Sequence, residues 1–560
     1  MTATTVLWAR DIMPLRHIND NATRRTEGPQ QVNPGRGRIA RRLTRLMLAM
    51  VALNVLWRSV RYGLNFPIWG DEAMLAVNFL RHGFLQLMGP LDHNQVAPLG
   101  FLWVERAVRV GLGHAPAALR LVPFLAGTAA MFVFWRLADR IVDRRQALLA
   151  VALFAASYYP LRHSVEIKPY ATDLLIALCL LWLGAGLWRY GGAPWRWGAF
   201  TVAGGLAVWC SYPSVFIACG VLLALAACGV VRHRATWSFW AIAASVLGAS
   251  CLLMLFTIAR TQAAQMSYAD MAMWKNAFPP LDRPWRFALW LIEIHSGRMM
   301  SYPEGGKNFG SVGTFLLFLA GCITMYRQGR DGRTLLALLL APFVLTMAAA
   351  VFKKYPYGGS TRTSLYLAPA ICLLAAVGLL AILKRILRPR CVRSAITIVV
   401  AICAVLILLS IVHDVLKPYK TLGDEGVRRA VEKLVELSGP HDVWLVANSA
   451  MAESDKMGYV PGGGLTIVNF DFLLRTKAPV PVLRGPPPPS VELPAGTLWV
   501  LLHDIRKYPL PEQVLGQYVE HFGARAGPAR VHRFVIDEVE VLEAHGFGGS
   551  DQSIPPAAAP

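Results

Sequence analysis

The chain has 560 residues, of which 55% are hydrophobic and only 16% charged, with a mean hydropathy of +0.42. These values exclude an ordinary soluble protein, and apolar runs of about 20 residues recur, the length needed to cross about 30 Å of hydrocarbon. The formal charge of +22 sits mostly in short Arg- and Lys-bearing segments between the apolar runs. That is the pattern of topology determinants, so no nucleic-acid partner is expected.

Residues 1–42 are polar and rich in Arg, Pro and Gly. They are too long and polar for the n-region of a cleaved signal peptide and read as a disordered cytoplasmic tail. Apolar segments follow at 43–62, 118–137, 146–161, 171–188, 198–210, 213–230, 237–258, 311–326, 334–352, 364–383 and 394–413. They predict a polytopic α-helical membrane protein of about eleven spanning helices. With the N-terminus inside, every inside loop is basic. They carry Arg136 to Arg145, Arg189 with Arg196, Arg232 with Arg234, Arg327 with Arg330 and Arg333, and Lys384 to Arg393. The positive-inside rule therefore puts the N-terminus in the cytoplasm and the C-terminus outside. Segments 146–161 and 198–210 are short for spans and would suit a tight hairpin.

The outer loops are 63–117, 259–310 and 353–363. In the first, the stretch Leu99 to Val110 is interrupted by Glu105, Arg106 and Arg109. It reads as an amphipathic helix in the membrane interface. The second is rich in Trp, Met and Arg. Residues 414–547 then form a water-soluble α/β domain. Its helix, Glu425 to Leu437, shows one apolar face of Val427, Ala430, Val431, Leu434 and Leu437. Strand-like runs follow at Val443–Ala447, Leu465–Phe470, Leu498–His503 and Val531–Ile536, with prolines 486–489 between two of them. Residues 548–560 read as a disordered tail. The 9 cysteines lie in or at the ends of apolar runs and show no CxxC or Cys/His spacing. Neither a disulfide framework nor a zinc site is expected.

Three polar clusters map to the outer face. Intramembrane or membrane-edge ionisable groups are costly and hence candidates for function. The first is Asp71-Glu72 after Trp69-Gly70. Its carboxylates suit a general base, and equally an N-cap for the helix that follows. The second runs from His163 through Glu166, Lys168, Pro169 and Tyr170 to Asp173. It reads as a functional cluster or as a solvated turn with a surface ion pair. The third is Lys353-Lys354-Tyr355-Pro356-Tyr357-Gly358-Gly359-Ser360-Thr361-Arg362. Three cations on the outer side suit a phosphate cradle or an anchor for anionic lipid.

On these residues the chain resembles the GT-C membrane glycosyltransferases of family 39, which include protein O-mannosyltransferases and the aminoarabinose transferase of lipid A. Asp71-Glu72-Ala73 matches that family's Asp-Glu motif. Glu166-Ile167-Lys168-Pro169-Tyr170 resembles its Glu-x-Arg-Pro-Tyr element, with Lys for Arg. Asn94-Gln95-Val96-Ala97-Pro98-Leu99 sits where the family often has Lys-Pro-Pro-Leu, without the Lys. The resemblance spans about the first 390 residues. It implies a polyprenyl-phosphate sugar donor, an acceptor hydroxyl on a glycan, lipid or protein, and single-displacement chemistry with inversion. It further implies Asp71 as the base with Glu72 orienting it. Lys168, Arg362, Lys354 and Tyr170 would bind the donor. Glu166 would position Lys168 or the acceptor, and His93 and His163 would line the site. No cofactor is implied, though adjacent carboxylates leave room for a divalent metal. The expected location is a bacterial inner membrane.

Two other readings share these features. A transporter or flippase of lipid-linked sugars also needs many helices and outer charges, but normally shows inverted repeats, and none is visible. A non-catalytic membrane scaffold would use Asp71 for stability alone.

Overall fold

The computed structural model describes residues 34–437 apart from 191–192, 230–233 and 265–273, and then 439, 441–447, 472–473, 475–476, 482–484, 496–505, 530–535 and 540–547. The expected tails 1–33 and 548–560, and the strand-like run Leu465–Phe470, lie outside the described residues.

The helices used below are α1 (Pro34–Gly63), α2 (Gly70–Arg81), α3 (Leu99–Leu112), α4 (Leu121–Ile141), α5 (Arg144–Ala155), α6 (Tyr170–Tyr190), α7 (Pro194–Cys210), α8 (Ser214–Ala227), α9 (Arg234–Met254), α10 (Pro284–Ser296), α11 (Val312–Arg327), α12 (Gly329–Val351), α13 (Ala368–Ile386), α14 (Pro389–Leu416) and α15 (Leu422–Leu437). Every expected apolar segment is helical. Local chemistry sets several starts. Pro occupies the first turn of α7 and α14, where its missing N–H costs nothing. Asp143 caps α5 by accepting from the backbone N–H of Arg145 and Gln146, while Gln146 Oε1 accepts from Asp143 N.

Seven helices among the described residues are long and apolar enough to cross a membrane: α1, α4, α6, α9, α12, α13 and α14, some with adjoining turns. The helices α5, α7, α8 and α11, of 12, 17, 14 and 16 residues, are shorter. The chain is an integral membrane protein. The face of α14 bearing Ile398, Ile402, Val405, Leu409 and Val412 is more than half exposed at each position, as a lipid-facing surface requires.

Two expectations are corrected. Helix α1 begins at Pro34, so 34–42 is helical rather than part of a disordered tail. Its Arg side chains favour helix, and Arg144 ties it down through the Ala40 carbonyl and Thr44 hydroxyl. The short segments do not form a hairpin. Helix α5 packs on α1, α4, α13 and α14, whereas α7 packs on α6 and α9. Every residue of α5 from Gln146 to Ala155 is buried. It is apolar on all sides because the bundle surrounds it.

The C-terminal part contains α15 and a five-stranded sheet in the order β2-β1-β3-β5-β4, with β1 (Val443–Ala447), β2 (Val482–Arg484), β3 (Leu498–Ile505), β4 (Arg530–Val535) and β5 (Glu540–Phe547). Strand β1 runs parallel to β2 and β3, and β5 runs antiparallel to β3 and β4. Strand β2 and the charged strand β5 escape a hydrophobicity scan. The apolar face of α15 belongs to the same hydrophobic cluster as Ile68, Ala73 and Leu75 around the start of α2, and as Ile167 beside Lys168.

Candidate active site

Three distant segments meet at one end of the bundle. Asp71 lies in the first turn of α2. Lys168 lies in the short loop that enters α6, and Arg362 opens the turn Arg362–Leu367 that leads into α13. Lys168 Nζ donates to Asp71 Oδ1 at 3.0 Å, and Arg362 Nη1 donates to Asp71 Oδ2 at 2.6 Å. The carboxylate thus bridges two cations, with side-chain exposures of 6% for Lys168, 19% for Asp71 and 21% for Arg362. Burial alone would raise the Asp71 pKa. Lys168 and Arg362 more than offset this, so the carboxyl titrates below its ordinary range. For Lys168 burial outweighs the pull of Asp71, and its pKa falls below the usual lysine value.

The loop before Arg362 needs its glycines. Gly358 and Gly359 have φ of +66° and +69°, in the left-handed region, and a Cβ at either would collide with Ile294 or Ala277. Tyr357 fixes the same loop, donating its N–H to the Ala277 carbonyl at 2.9 Å and pairing its hydroxyl with His295 Nε2 at 2.9 Å. Arg362 also stacks on Trp274, 5.0 Å from the ring centre.

Glu72 points away from Asp71. It pairs with Arg120 through two bonds of 3.0 and 2.8 Å and accepts the Ile167 N–H at 2.9 Å. It also accepts its own cap's Trp69 N–H at 3.4 Å. Because Ile167 stands between Glu166 and Lys168, Glu72 staples the first loop to the second. Glu166 does not touch the Lys168 amine. Its side chain accepts from Arg162 Nε at 2.8 Å and faces His163 Nδ1 at 2.6 Å, and only its backbone carbonyl receives the Lys168 N–H, at 2.7 Å. Burial raises the Glu166 pKa, but His163, Arg162 and Lys420 together hold it well below the ordinary value. For His163 burial outweighs Glu166 and lowers its pKa.

The remaining sequence candidates divide. The Tyr170 ring meets His163 edge-on, with centres 5.2 Å apart. His93 is half-buried, with φ of 60°, and its carbonyl accepts from Gln95 Nε2 at 3.2 Å. Lys354 is exposed and lies outside the cluster. Sequence reasoning missed Gln95, Arg120, Trp274 and Lys420. Gln95 Oε1 accepts from Lys168 Nζ at 2.7 Å, so the loop that lacks a lysine meets one from elsewhere. Among the described residues no three His, Cys, Asp or Glu side chains converge as a metal site. Asp71 and Glu72 diverge to different cations, Lys168 with Arg362 and Arg120.

Residues 96–258 match the family model described as dolichyl-phosphate-mannose-protein mannosyltransferase. The match covers less than half of the chain and includes Glu166, Lys168 and Tyr170 but not Asp71 or Arg362. No curated protein matches the sequence. Among solved structures, ArnT from Cupriavidus metallidurans bound to undecaprenyl phosphate is similar at 11% identity and a TM-score of 0.53, covering 89% of this chain and 97% of that one. The apo state of the same protein is similar at 12% identity and a TM-score of 0.53, covering 90% of this chain and 98% of that one. At such identity the likeness concerns the fold. The chain shares its membrane fold with ArnT, and its segment 96–258 is similar to the family described as dolichyl-phosphate-mannose-protein mannosyltransferase.

Proposed function

We propose that the chain is a glycosyltransferase that moves a hexosyl or pentosyl group from a polyprenyl-phosphate donor to an acceptor hydroxyl on the extracytoplasmic face. The observation that carries this reading is Asp71 held between Lys168 and Arg362. A carboxylate beside two cations at the end of a membrane bundle has the parts that a phosphate leaving group and an attacking hydroxyl need. The undecaprenyl phosphate of ArnT, a protein of the same fold, supports a polyprenyl carrier.

The donor phosphate competes with Asp71 for Lys168 and Arg362, since both are strong donors to anionic oxygen. As the phosphate takes the two cations, Asp71 is released and its basicity rises. The acceptor oxygen then forms a bond to the anomeric carbon from the side opposite the phosphate. The bond from that carbon to the phosphate oxygen breaks, and its electron pair leaves with the polyprenyl phosphate. The acceptor proton passes to Asp71, and the configuration inverts. Lys168 and Arg362 stabilise the charge that grows on the departing phosphate. Gln95 holds the Lys168 amine during the exchange. Glu72 and Arg120 fix the spacing of the two loops.

The test is to incubate purified protein with radiolabelled polyprenyl-phosphate sugars and a panel of glycan, lipid and protein acceptors. Label moving to an acceptor hydroxyl is expected. Label that crosses a bilayer without changing covalent partner would establish a flippase instead. Reporter fusions at Arg144 and Lys384 are expected to read cytoplasm, and one at Pro440 the outside.

A further inference from the structure

One buried acid plays no part in the chemistry above. Asp173 sits in the first turn of α6, where its N–H donates to the Pro169 carbonyl at 2.8 Å. It is only 8% exposed. Among the described residues no cation pairs with it, and the side chain that approaches its carboxyl is Ser211, in the turn between α7 and α8. Neither Asp173 Oδ1 nor Ser211 Oγ has a hydrogen-bond partner among the described residues. A carboxyl removed from water without a partner is costly in a membrane bundle, which marks it for function.

Four tyrosines stand close enough for their phenols to feel this carboxyl: Tyr170, Tyr212, Tyr355 and Tyr366. Three of their hydroxyls are committed elsewhere. Tyr212 Oη donates to Gln262 Oε1 at 2.8 Å and lies 3.1 Å from the Ala97 carbonyl. Tyr355 Oη donates to the Thr363 carbonyl at 3.1 Å, and Tyr366 Oη pairs with Thr346 Oγ1 at 2.6 Å. These bonds tie the surroundings of Asp173 to both cations of the Asp71 cluster. Thr363 directly follows Arg362, and Ala97 lies two residues after Gln95, which holds the Lys168 amine. Tyr170 is one helical turn before Asp173, a rise of about 5 Å, and its phenol feels Arg362 and Asp71 as well as Asp173. Asp173 is therefore a neighbour of the cation pair rather than a remote core residue.

We propose that Asp173 reads the donated sugar, its carboxyl receiving a ring hydroxyl while the lipid phosphate rests on Lys168 and Arg362. The inference rests on the donor reading above and deepens it. A carboxyl accepts from a hydroxyl whether or not it is ionised, and the C–H faces of a sugar ring suit the flat phenols beside it. Every polyprenyl-phosphate donor carries the same phosphate, so only groups beyond Lys168 and Arg362 can tell one sugar from another. A site built to hydrogen-bond a hydroxyl rejects the analogue that lacks it, because its own polar group is then left unpaired. The competing occupant is a buried water between Asp173 and Ser211, which would make Asp173 a matter of stability alone.

The experiment titrates the full-length protein in detergent with undecaprenyl phosphate and with the same lipid carrying mannose, glucose, galactose or arabinose. At least one glycosylated lipid is expected to bind the parent about fivefold or more tighter than the bare lipid. For that lipid Asp173→Ala is expected to lose about fivefold or more in affinity, and Asp173→Asn, which keeps an acceptor oxygen, a smaller factor. Both variants should bind bare undecaprenyl phosphate as the parent does, a separation that a purely structural role does not produce. A monodeoxy series of the same sugar should contain one analogue that the parent binds poorly and that Asp173→Ala does not distinguish from the full sugar. If Asp173→Ala does not fold, Asp173→Asn must show the same selective loss in smaller measure. Equal loss for glycosylated and bare lipid overturns the proposal. So does unchanged binding of both, or a parent that binds no sugar of the panel more tightly than the bare lipid. A parent that binds neither lipid overturns the donor reading as well, and Arg362→Ala, expected to weaken the bare lipid, separates the two failures.

Discussion

Arg362 Nη1 sits 2.6 Å from Asp71 Oδ2, although 291 residues separate the two in the chain. On the other side of the same carboxylate Lys168 is 3.0 Å away. Asp71 is thus held ionised by the cations that the proposed donor phosphate would claim.

The first prediction concerns Asp71→Asn. The amide keeps the shape of the side chain but cannot take a proton. Transfer of label is expected to fall by about 10²–10⁴-fold. Polyprenyl-phosphate binding should be retained or tightened, because Lys168 and Arg362 lose their competing carboxylate. A variant with more than about a tenth of the parent rate would remove Asp71 as the base.

Arg362→Ala should weaken polyprenyl-phosphate binding by about tenfold or more, the scale of a charged hydrogen bond. Arg362→Lys should also be impaired, because an ammonium replaces neither the planar fork nor the stacking on Trp274. Arg388→Ala, at an exposed position in the loop between α13 and α14, is the control and should bind normally. Equal dissociation constants for Arg362→Ala and the parent, read by titration of the lipid phosphate, would count against the donor site.

Arg120→Ala should act on stability before chemistry. The Arg120–Glu72 pair is nearly inaccessible, with side-chain exposures of 4% and 2%. Removing one partner leaves a buried charge alone, a loss of about 3–5 kcal/mol. The expected readout is a large drop in the thermal midpoint. An unchanged midpoint would show that Glu72 does not staple the two loops.

Glu105 supplies a pH test. It is fully buried on α3, neither carboxyl oxygen has a partner among the described residues, and burial raises its pKa well above the ordinary value. The protonated form is favoured in the folded state. The stability this group contributes is therefore present below the unfolded carboxyl pKa and is lost as pH rises through the higher folded value. Each tenfold difference in proton affinity between the folded and unfolded chain changes stability by about 1.4 kcal/mol. Glu105→Gln, always neutral, should raise the midpoint at alkaline pH and leave it near the parent's at pH about 4. A parallel pair of stability–pH curves would sink this account.

Much of the fold was legible because burial in lipid and burial in water leave different marks on a chain. Each expected apolar segment became a helix, and the outer stretch Leu99 to Val110 became α3. The hairpin expected for 146–161 and 198–210 did not form. Length alone cannot show that α5 is short because other helices surround it. In the C-terminal domain β1, β3 and β4 follow hydrophobic runs. Strand β5, with Glu540, Glu543 and His545, is held by pairing to β3 and β4 on both sides. Such pairing leaves no local pattern.

The candidate site divides along the same line. Asp71, Glu72, Glu166, Lys168, Tyr170 and Arg362 could be named because ionisable groups at the ends of apolar helices stand out against hydrocarbon. Their partners could not. Glu72 turns to Arg120, Glu166 to Arg162 and His163, and the Lys168 amine to Gln95 as well as Asp71. Composition and periodicity decided that this chain lives in a membrane and which segments leave it, since those depend on local hydrophobicity. Which carboxylate faces which cation was decided only by the packing of α2, α6 and α13, because ion pairing across 97 or 291 residues depends on distances that exist only once the bundle has closed.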